Sequence, residues 1–409
     1  SLGAGWRASS ENFLKNIKGL SDLKLRASYG ISGNDDIGNY NAYSYYSVVR
    51  YRETTGLIPG ALPNRSLSYE IYRQLNLGLD LSLWANRTSL TFDLYTANTD
   101  NMLYYQPQEK FLGYDYKLIN GGKLRNQGWE VQFFQRIFDG NNFNWDFVVN
   151  LSRYENTVLD LEGKNIVTSF PGGEFVTQEG GSVGSFYGYR FNGVYSTHQE
   201  AQESGLVNEK GIPYGSGDSK YEDISGPEGT PDGVINYFDK TIIGSTDPDY
   251  FGGVINNFRF KRWYLSFMVQ FVYGNEIFNY VRYQNERMTD LSNQSKTTLK
   301  RWQHEGDKTD VPRALSNEPM GNSAFSSRWI EDGSYLRLKN LTLGYRIPSR
   351  FFIFRNADFF FTATNLITFK EYLGYDPEFS YSYSNMEQGI DYGLMPQHRS
   401  FLIGVKLGL

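Results

Sequence analysis

Apolar and polar residues alternate with period two along much of this chain. In "LNLGLDLSL" every odd position from Leu75 to Leu83 is leucine, while Asn76, Gly78, Asp80 and Ser82 fill the even ones. "FNWDFVVNL" sets Phe143, Trp145, Phe147, Val149 and Leu151 against Asn144, Asp146, Val148 and Asn150. "RWYLSFMVQFVYG" sets Trp263, Leu265, Phe267, Val269, Phe271 and Tyr273 against a mixed face with Arg262, Ser266, Gln270 and Gly274. The chain closes on "RSFLIGVKLGL", with Phe401, Ile403, Val405, Leu407 and Leu409 on one parity and Ser400, Gly404, Lys406 and Gly408 on the other. Side chains of a strand point alternately to its two faces, so each segment presents one apolar face and one polar face. The lengths approach the ~9–11 residues that cross a bilayer at a tilt, and they are long for strands of water-soluble domains.

The connections carry a second pattern. Short links at "WANRT" (84–88), "FDGNN" (138–142) and "FKR" (260–262), and the longer "PSRFFIFRNA" (348–357), alternate with long polar segments over 32–71, 101–127, 155–250, 274–333 and 367–398. Loops of that length are foreign to compact domains. Strict alternation of tight turns and long loops is the layout of an outer-membrane barrel. The fold class expected is therefore all-β, an antiparallel transmembrane β-barrel with long extracellular loops. About eleven strands are predicted, near 1–8, 22–31, 72–84, 88–100, 128–137, 143–154, 251–260, 262–274, 334–347, 357–366 and 399–409. Single-chain bacterial barrels have even strand numbers. An odd count implies that residues 1–409 form the C-terminal part of one larger barrel domain. In "SYLRLKNLTLGYRIP", Leu336 and Leu338 share one parity, whereas Leu341, Leu343, Tyr345 and Ile347 take the other. Either a bulge near Asn340 restores a common face, or Ser334 to Leu338 extend the sheet above the membrane.

Composition narrows the functional classes. Aromatic residues make up 17% of the chain, with 32 Tyr, 42 Gly and no Cys. A net charge of −5 supplies no basic field for nucleic acid. The lack of Cys removes disulfides, thiol catalysis and Cys-based zinc sites, and His198, His304 and His398 are too dispersed for a cluster. No apolar run approaches the roughly 18 residues of a membrane helix, and mean hydropathy is −0.51, which excludes a helical membrane protein but not a barrel, whose lumen-facing residues are polar. The opening "SLGAGWRA" has neither Met nor a signal peptide, so sequence is expected upstream of Ser1.

Candidate chemistry is sparse. "GGSVG" (180–184) matches the G-x-S-x-G nucleophile elbow, yet the following "SFYGYRFNGVY" reads as extended chain where that motif needs a helix. A loop is the stronger reading, and no catalytic set is assigned. Strand aromatics fall on the apolar face and read as a lipid girdle. Loop aromatics such as Tyr187, Tyr189, Tyr195, Tyr381 and Tyr383 could touch substrate or a lid, although packing within their own loop is the stronger reading. The segment 275–305 has room for a short helix with a solvated surface.

Several stretches resemble the SusC/RagA family of TonB-dependent outer-membrane transporters of Bacteroidota. They are "LKLRASYGISGNDDIGNY" (23–40), "IIGSTDPDYFGGVINNFRF" (242–260), "WIEDGSYLRLKNLTLGYRIP" (329–348), "FTATNLITFKEYLGYDPE" (361–378) and "PQHRSFLIGVKLGL" (396–409). They follow the family's order and cover almost the whole chain. The resemblance implies a 22-stranded barrel filled by an N-terminal plug that follows a TonB box, both outside these residues. It further implies a SusD-like lipoprotein lid, coupling to TonB–ExbB–ExbD and the proton-motive force, and a nutrient that is an oligosaccharide or a peptide. A dimer of transporter–lid pairs, and the outer membrane of a Gram-negative bacterium, belong to the same expectation. Family members often carry a D-x-N-G-D-G-x-I-D-like loop resembling a calcium site. Here "DISGPEGTPDGVINYFD" (223–239) has "PEGTP" inserted, leaving Asp223, Asp232 and Asp239 as weak Ca2+ candidates against a plain extracellular turn. Outer-membrane barrels also resemble one another in a terminal strand with Gly five residues before an apolar or aromatic end. Gly404, Leu407 and Leu409 fit such an assembly signal, with Leu409 in place of the usual aromatic.

The functions in competition are active import through a plugged, lid-capped barrel, passive diffusion through a porin, an enzyme on a barrel scaffold, and a water-soluble β-rich binding protein. A plug domain and about ten further strands upstream of Ser1 would single out import.

Overall fold

Eleven strands pair in chain order into one antiparallel sheet. They are β1 (Leu2–Arg7), β2 (Leu20–Asn34), β3 (Glu70–Leu83), β4 (Thr88–Asp100), β5 (Lys123–Asp139), β6 (Phe143–Asp160), β7 (Tyr250–Phe260), β8 (Trp263–Tyr273), β9 (Tyr335–Ile347), β10 (Asn356–Lys370) and β11 (Ser400–Gly408). All eleven expected strands are present. The structure, a computed structural model, describes residues 1–37, 42–52, 54–60, 62–108, 113–114, 116–347, 354–379 and 387–408. Leu409, Tyr381, Tyr383 and most of the predicted turn 348–357 lie outside the described residues. Among the described residues β1 and β11 each have one neighbour in the sheet.

The register shows why period two governs the sequence. Following partners across ten strands, one row reads Arg7, Lys24, Asp80, Thr91, Gln132, Asn150, Gly253, Gln270, Arg337, Thr368. The adjacent row reads Trp6, Leu25, Leu79, Phe92, Val131, Leu151, Gly252, Phe271, Leu336, Phe369. One row offers polar groups or glycine, and the other is apolar apart from glycine. They lie on opposite faces because they are one residue apart. A membrane on one side and a polar lumen on the other produce this arrangement. Outward positions of β6 stay apolar from Phe143 to Leu151, roughly 26 Å of strand at ~3.3 Å per residue, close to a tilted bilayer crossing. The outward amide of Asn256 is buried and accepts a hydrogen bond from the Trp145 indole N–H at 3.0 Å, which satisfies its carbonyl oxygen away from water.

The parity break in β9 is a bulge. Register shifts between Leu338 and Asn340 against both β8 and β10, leaving Lys339 as the extra residue. Leu336, Leu338 and Leu341 then line one apolar hollow with Phe267, Val269, Ile367 and Phe369, so both halves of the strand share the outward face. Aromatic girdles mark the two membrane boundaries. At the turn end Phe138, Phe143, Trp145 and Phe258 stack, and Trp263 lies 4.8 Å from Tyr345. At the opposite end Trp129 lies 6.2 Å from Tyr250. The tight turn between β3 and β4 is made by Trp84, Ala85 and Asn86, all with positive φ.

Several strands run past their expected ends, because pairing continues with polar side chains once the membrane is cleared. β5 begins at Lys123, which forms an ion pair with Asp160 at the far end of β6. The long segments are folded. Ile166–Phe170, Gly173–Thr177, Ser185–Gly188 and Thr241–Gly244 form a four-stranded sheet, and Glu276–Asn279 joins Ile330–Asp332 and Ile390–Asp391 in a three-stranded one. Helix α1 (His198–Ser204) was not expected, whereas α2 (Tyr280–Glu286) falls within 275–305 as expected. No helix among the described residues is long and apolar enough to cross a membrane.

Candidate functional site

The polar face of the sheet is a hydrogen-bonded lattice. Arg26 Nε and Nη2 donate to Asp80 at 2.8 and 3.1 Å, and Nη2 also reaches Asp93 at 3.0 Å, two strands away. That span crosses Gly78, where a Cβ would stand 2.5 Å from the Arg26 guanidinium carbon. Glycine there is a passage for the arginine, not a turn. Further round, Tyr264 donates to Asp358, and hydroxyl pairs join Thr342 to Thr362 and Thr364 to Ser400. A surface of this kind can pass or hold polar solutes while remaining rigid.

The inner wall also holds a loop. Arg337, in the polar row and almost fully buried, donates to Thr368 at 2.9 Å, to Asp376 at 2.5 Å and to Glu378 at 2.5 Å. Lys339, the bulge residue, donates to both Glu378 oxygens at 2.8 and 2.7 Å. The bulge thus adds a second cation on the side where the acids lie. Asp376 in turn accepts the backbone N–H groups of Glu378 and Gln397. The β10–β11 segment is thereby fastened to the wall between these two cations.

Above the wall the long segments share an aromatic core. Phe175, Phe186, Phe278, Trp329 and Ile390 are fully buried, with Phe170, Tyr283, Phe325 and Tyr392 against them. These residues come from three long segments, 155–250, 274–333 and 367–398. Four charges frame the core. Arg282 donates to Glu286, Glu331 and the Arg328 carbonyl. Arg328 stacks 4.3 Å over Trp329 and lies 3.9 Å from Glu286, yet its guanidinium nitrogens make no hydrogen bond among the described residues. Burial pushes that guanidinium down to about 10. Burial also raises the carboxyls of Glu276 and Glu318.

The sequence candidates fall as follows. Asp223, Asp232 and Asp239 do meet in one loop, but their oxygens are engaged by its own backbone. Asp223 accepts from Asp232 and Gly233, Asp232 from Val234, and Asp239 from Ile224, Ser225 and Asn236. Among the described residues no group of three or more His, Asp or Glu is placed to hold a metal ion. The loop instead presents Tyr237 and Phe238, both about half exposed, in a short 3-10 helix capped by Asn236 and Asp239. "GGSVG" is a loop whose Ser182 hydroxyl donates to the Asn156 carbonyl, and the strand Ser185–Gly188 follows it. Tyr189 and Tyr195 pack among aromatics of their own segment and also against Met320, Leu315 and Ala324 of 274–333, while Tyr187 meets Tyr237 edge to face. Gly404 pairs with Phe360 and Leu407 with Ala357 inside β11.

A sheet with an apolar outer face, a polar lattice inside, tight turns at one end and a folded cap at the other is the wall of a transmembrane β-barrel. No family model matches the chain. It is 32% identical over 421 residues to "TonB-dependent receptor P3" of Formosa agariphila, covering 98% of this chain and 41% of that protein. It is 26% identical to "TonB-dependent receptor SusC" of Bacteroides thetaiotaomicron, covering 100% of this chain and 39% of the relative. Among solved structures, the RagAB peptide transporter superposes with a TM-score of 0.81 at 26% identity, covering 99% of this chain and 43% of that one. Over nearly its whole length the chain is similar to these TonB-dependent receptors and to RagAB, and it spans about two-fifths of the length of the relatives it matches. These relatives are named as receptors and a transporter.

Proposed function

We propose that the protein carrying this chain imports a nutrient oligomer, an oligopeptide or an oligosaccharide, across the outer membrane of a Gram-negative bacterium of the Bacteroidota. This chain supplies barrel wall and capping loops. A plug and TonB box elsewhere in the protein couple it to TonB–ExbB–ExbD, and a SusD-like lipoprotein closes the mouth, the pair being able to dimerise. The observation that carries this reading is the polar row running unbroken beneath loops fastened to the wall. That arrangement suits gated passage of a hydrated solute, with contacts made by hydrogen bonds and no covalent step. The similarity to RagAB supports the peptide branch, and the similarity to SusC supports TonB dependence. Passive diffusion is the competing reading.

Uptake of labelled oligopeptides and oligosaccharides by cells with and without the intact protein tests the proposal. Protein-dependent uptake should cease when a protonophore collapses the proton-motive force. Continued uptake at the original rate would identify a passive pore.

A further inference from the structure

The outward face holds a feature that import does not use. Near the loop end, one outward row reads Ala4, Ala27, Leu77, Leu94, Trp129 and then Arg153. A cation ends a row that is otherwise apolar and faces lipid. Its guanidinium carbon lies 5.5 Å over the Tyr250 ring, at the level of the Trp129–Tyr250 girdle. Arg153 is exposed and has no ion-pair partner among the described residues. The nearby Glu155 is held by the Gln127 amide at 3.2 Å. Beside Arg153 lies a hollow of about 470 Å³, within the range of small-ligand sites. Leu75, Leu77, Leu94 and Trp129 line its apolar part, while Thr96, Gln127, Arg153 and the Gln127-bound Glu155 stand at its polar rim.

We propose that this hollow binds one anionic lipid of the surrounding leaflet. An acyl chain lies against Leu77, Leu94 and Trp129, and the lipid phosphate accepts charge-assisted hydrogen bonds from Arg153. The position selects the ligand. A guanidinium at the girdle meets headgroups, and the apolar floor beneath it meets chains. A lipid phosphate satisfies both halves, which a free anion in water does not. The site rests on the wall being embedded in lipid.

The test uses the intact protein in detergent micelles, titrated with phosphatidylglycerol or phosphatidylcholine of the same chain length, with retained lipid counted by native mass spectrometry. Preferential retention of one phosphatidylglycerol is expected. R153Q should lower that retention about tenfold, the size of one lost hydrogen bond to a charged group. L94W, which fills the hollow and keeps the charge, should lower it too, whereas R125Q should not. Equal retention of the two lipids by the unaltered protein, or an undiminished preference in R153Q or L94W, would overturn the site. A protein that stays dispersed without detergent would instead refute the membrane reading, so the two failures are distinguishable.

Discussion

Replacing Arg337 by methionine should release the β10–β11 segment from the inner wall at a cost of about 3–5 kcal/mol. The guanidinium is almost fully buried and serves Asp376, which is itself buried, as well as Glu378 and Thr368. Methionine matches much of its volume but leaves Asp376 with only the N–H groups of Glu378 and Gln397. An uncompensated buried carboxylate is the expensive outcome, more so than the loss of the pair's own attraction. Lys339→Met should cost far less, about 1 kcal/mol or below, because that ammonium is partly exposed and Glu378 keeps Arg337. Hydrogen exchange of residues 387–398 in the intact protein separates the two variants. Faster exchange in Arg337→Met than in Lys339→Met is expected, while exchange in β3 to β6 stays unchanged. Equal protection in both variants would show that the loop is held by something else.

The second large effect concerns the cap. Arg282→Met should destabilise it by about 3–5 kcal/mol, since Glu286 and Glu331, both nearly buried, lose their shared cation. Arg328→Met, in the same cluster and even less exposed, should change stability by no more than about 1 kcal/mol. Its guanidinium makes no hydrogen bond among the described residues, so removing it relieves desolvation. The stacking on Trp329 that is lost offsets part of the gain. Glu286 keeps Arg282 in that variant. Limited proteolysis of the loops, with the barrel's resistance as internal reference, reads both changes. The two arginines lie in one cluster, so a large loss in one variant beside a small change in the other tests the physical argument and not merely the location.

What the sequence made legible follows from what forces a pattern. Lipid on one face and polar groups on the other constrain every second residue, so β3, β6 and β8 could be read directly from Leu75–Leu83, Phe143–Leu151 and Trp263–Tyr273. The β9 bulge was legible for the same reason, as a break in parity between Leu338 and Leu341. Nothing comparable marks the cap. Phe175, Phe278, Trp329 and Ile390 meet from segments far apart in sequence, and no local period encodes such a meeting. Helix α1 did leave a trace. "THQE" (197–200) has the capping-box sequence, and the Thr197 hydroxyl accepts the Glu200 N–H while the Glu200 carboxylate accepts the Ser196 N–H. The loop fastening was half visible, since Arg337 and "DPE" (376–378) both lie in stretches that resemble the family, but only the fold shows that they touch. The acids at 223, 232 and 239 were noticed for their spacing, which the structure explains by backbone hydrogen bonds within one loop.

The central claim is that the two adjacent rows face different media, one lipid and the other a polar lumen. This chain has no cysteine, so single spin labels can be placed at Val131 and Gln132 of the intact protein, in bilayers, once any cysteine elsewhere in it is replaced. Collision with oxygen, which partitions into lipid, and with a water-soluble nickel complex then reports the environment of each. High oxygen and low nickel accessibility at 131, with the reverse balance at 132 and the same contrast between Leu151 and Asn150, is the predicted result. Equal accessibility at neighbouring positions, or the opposite alternation, would contradict it.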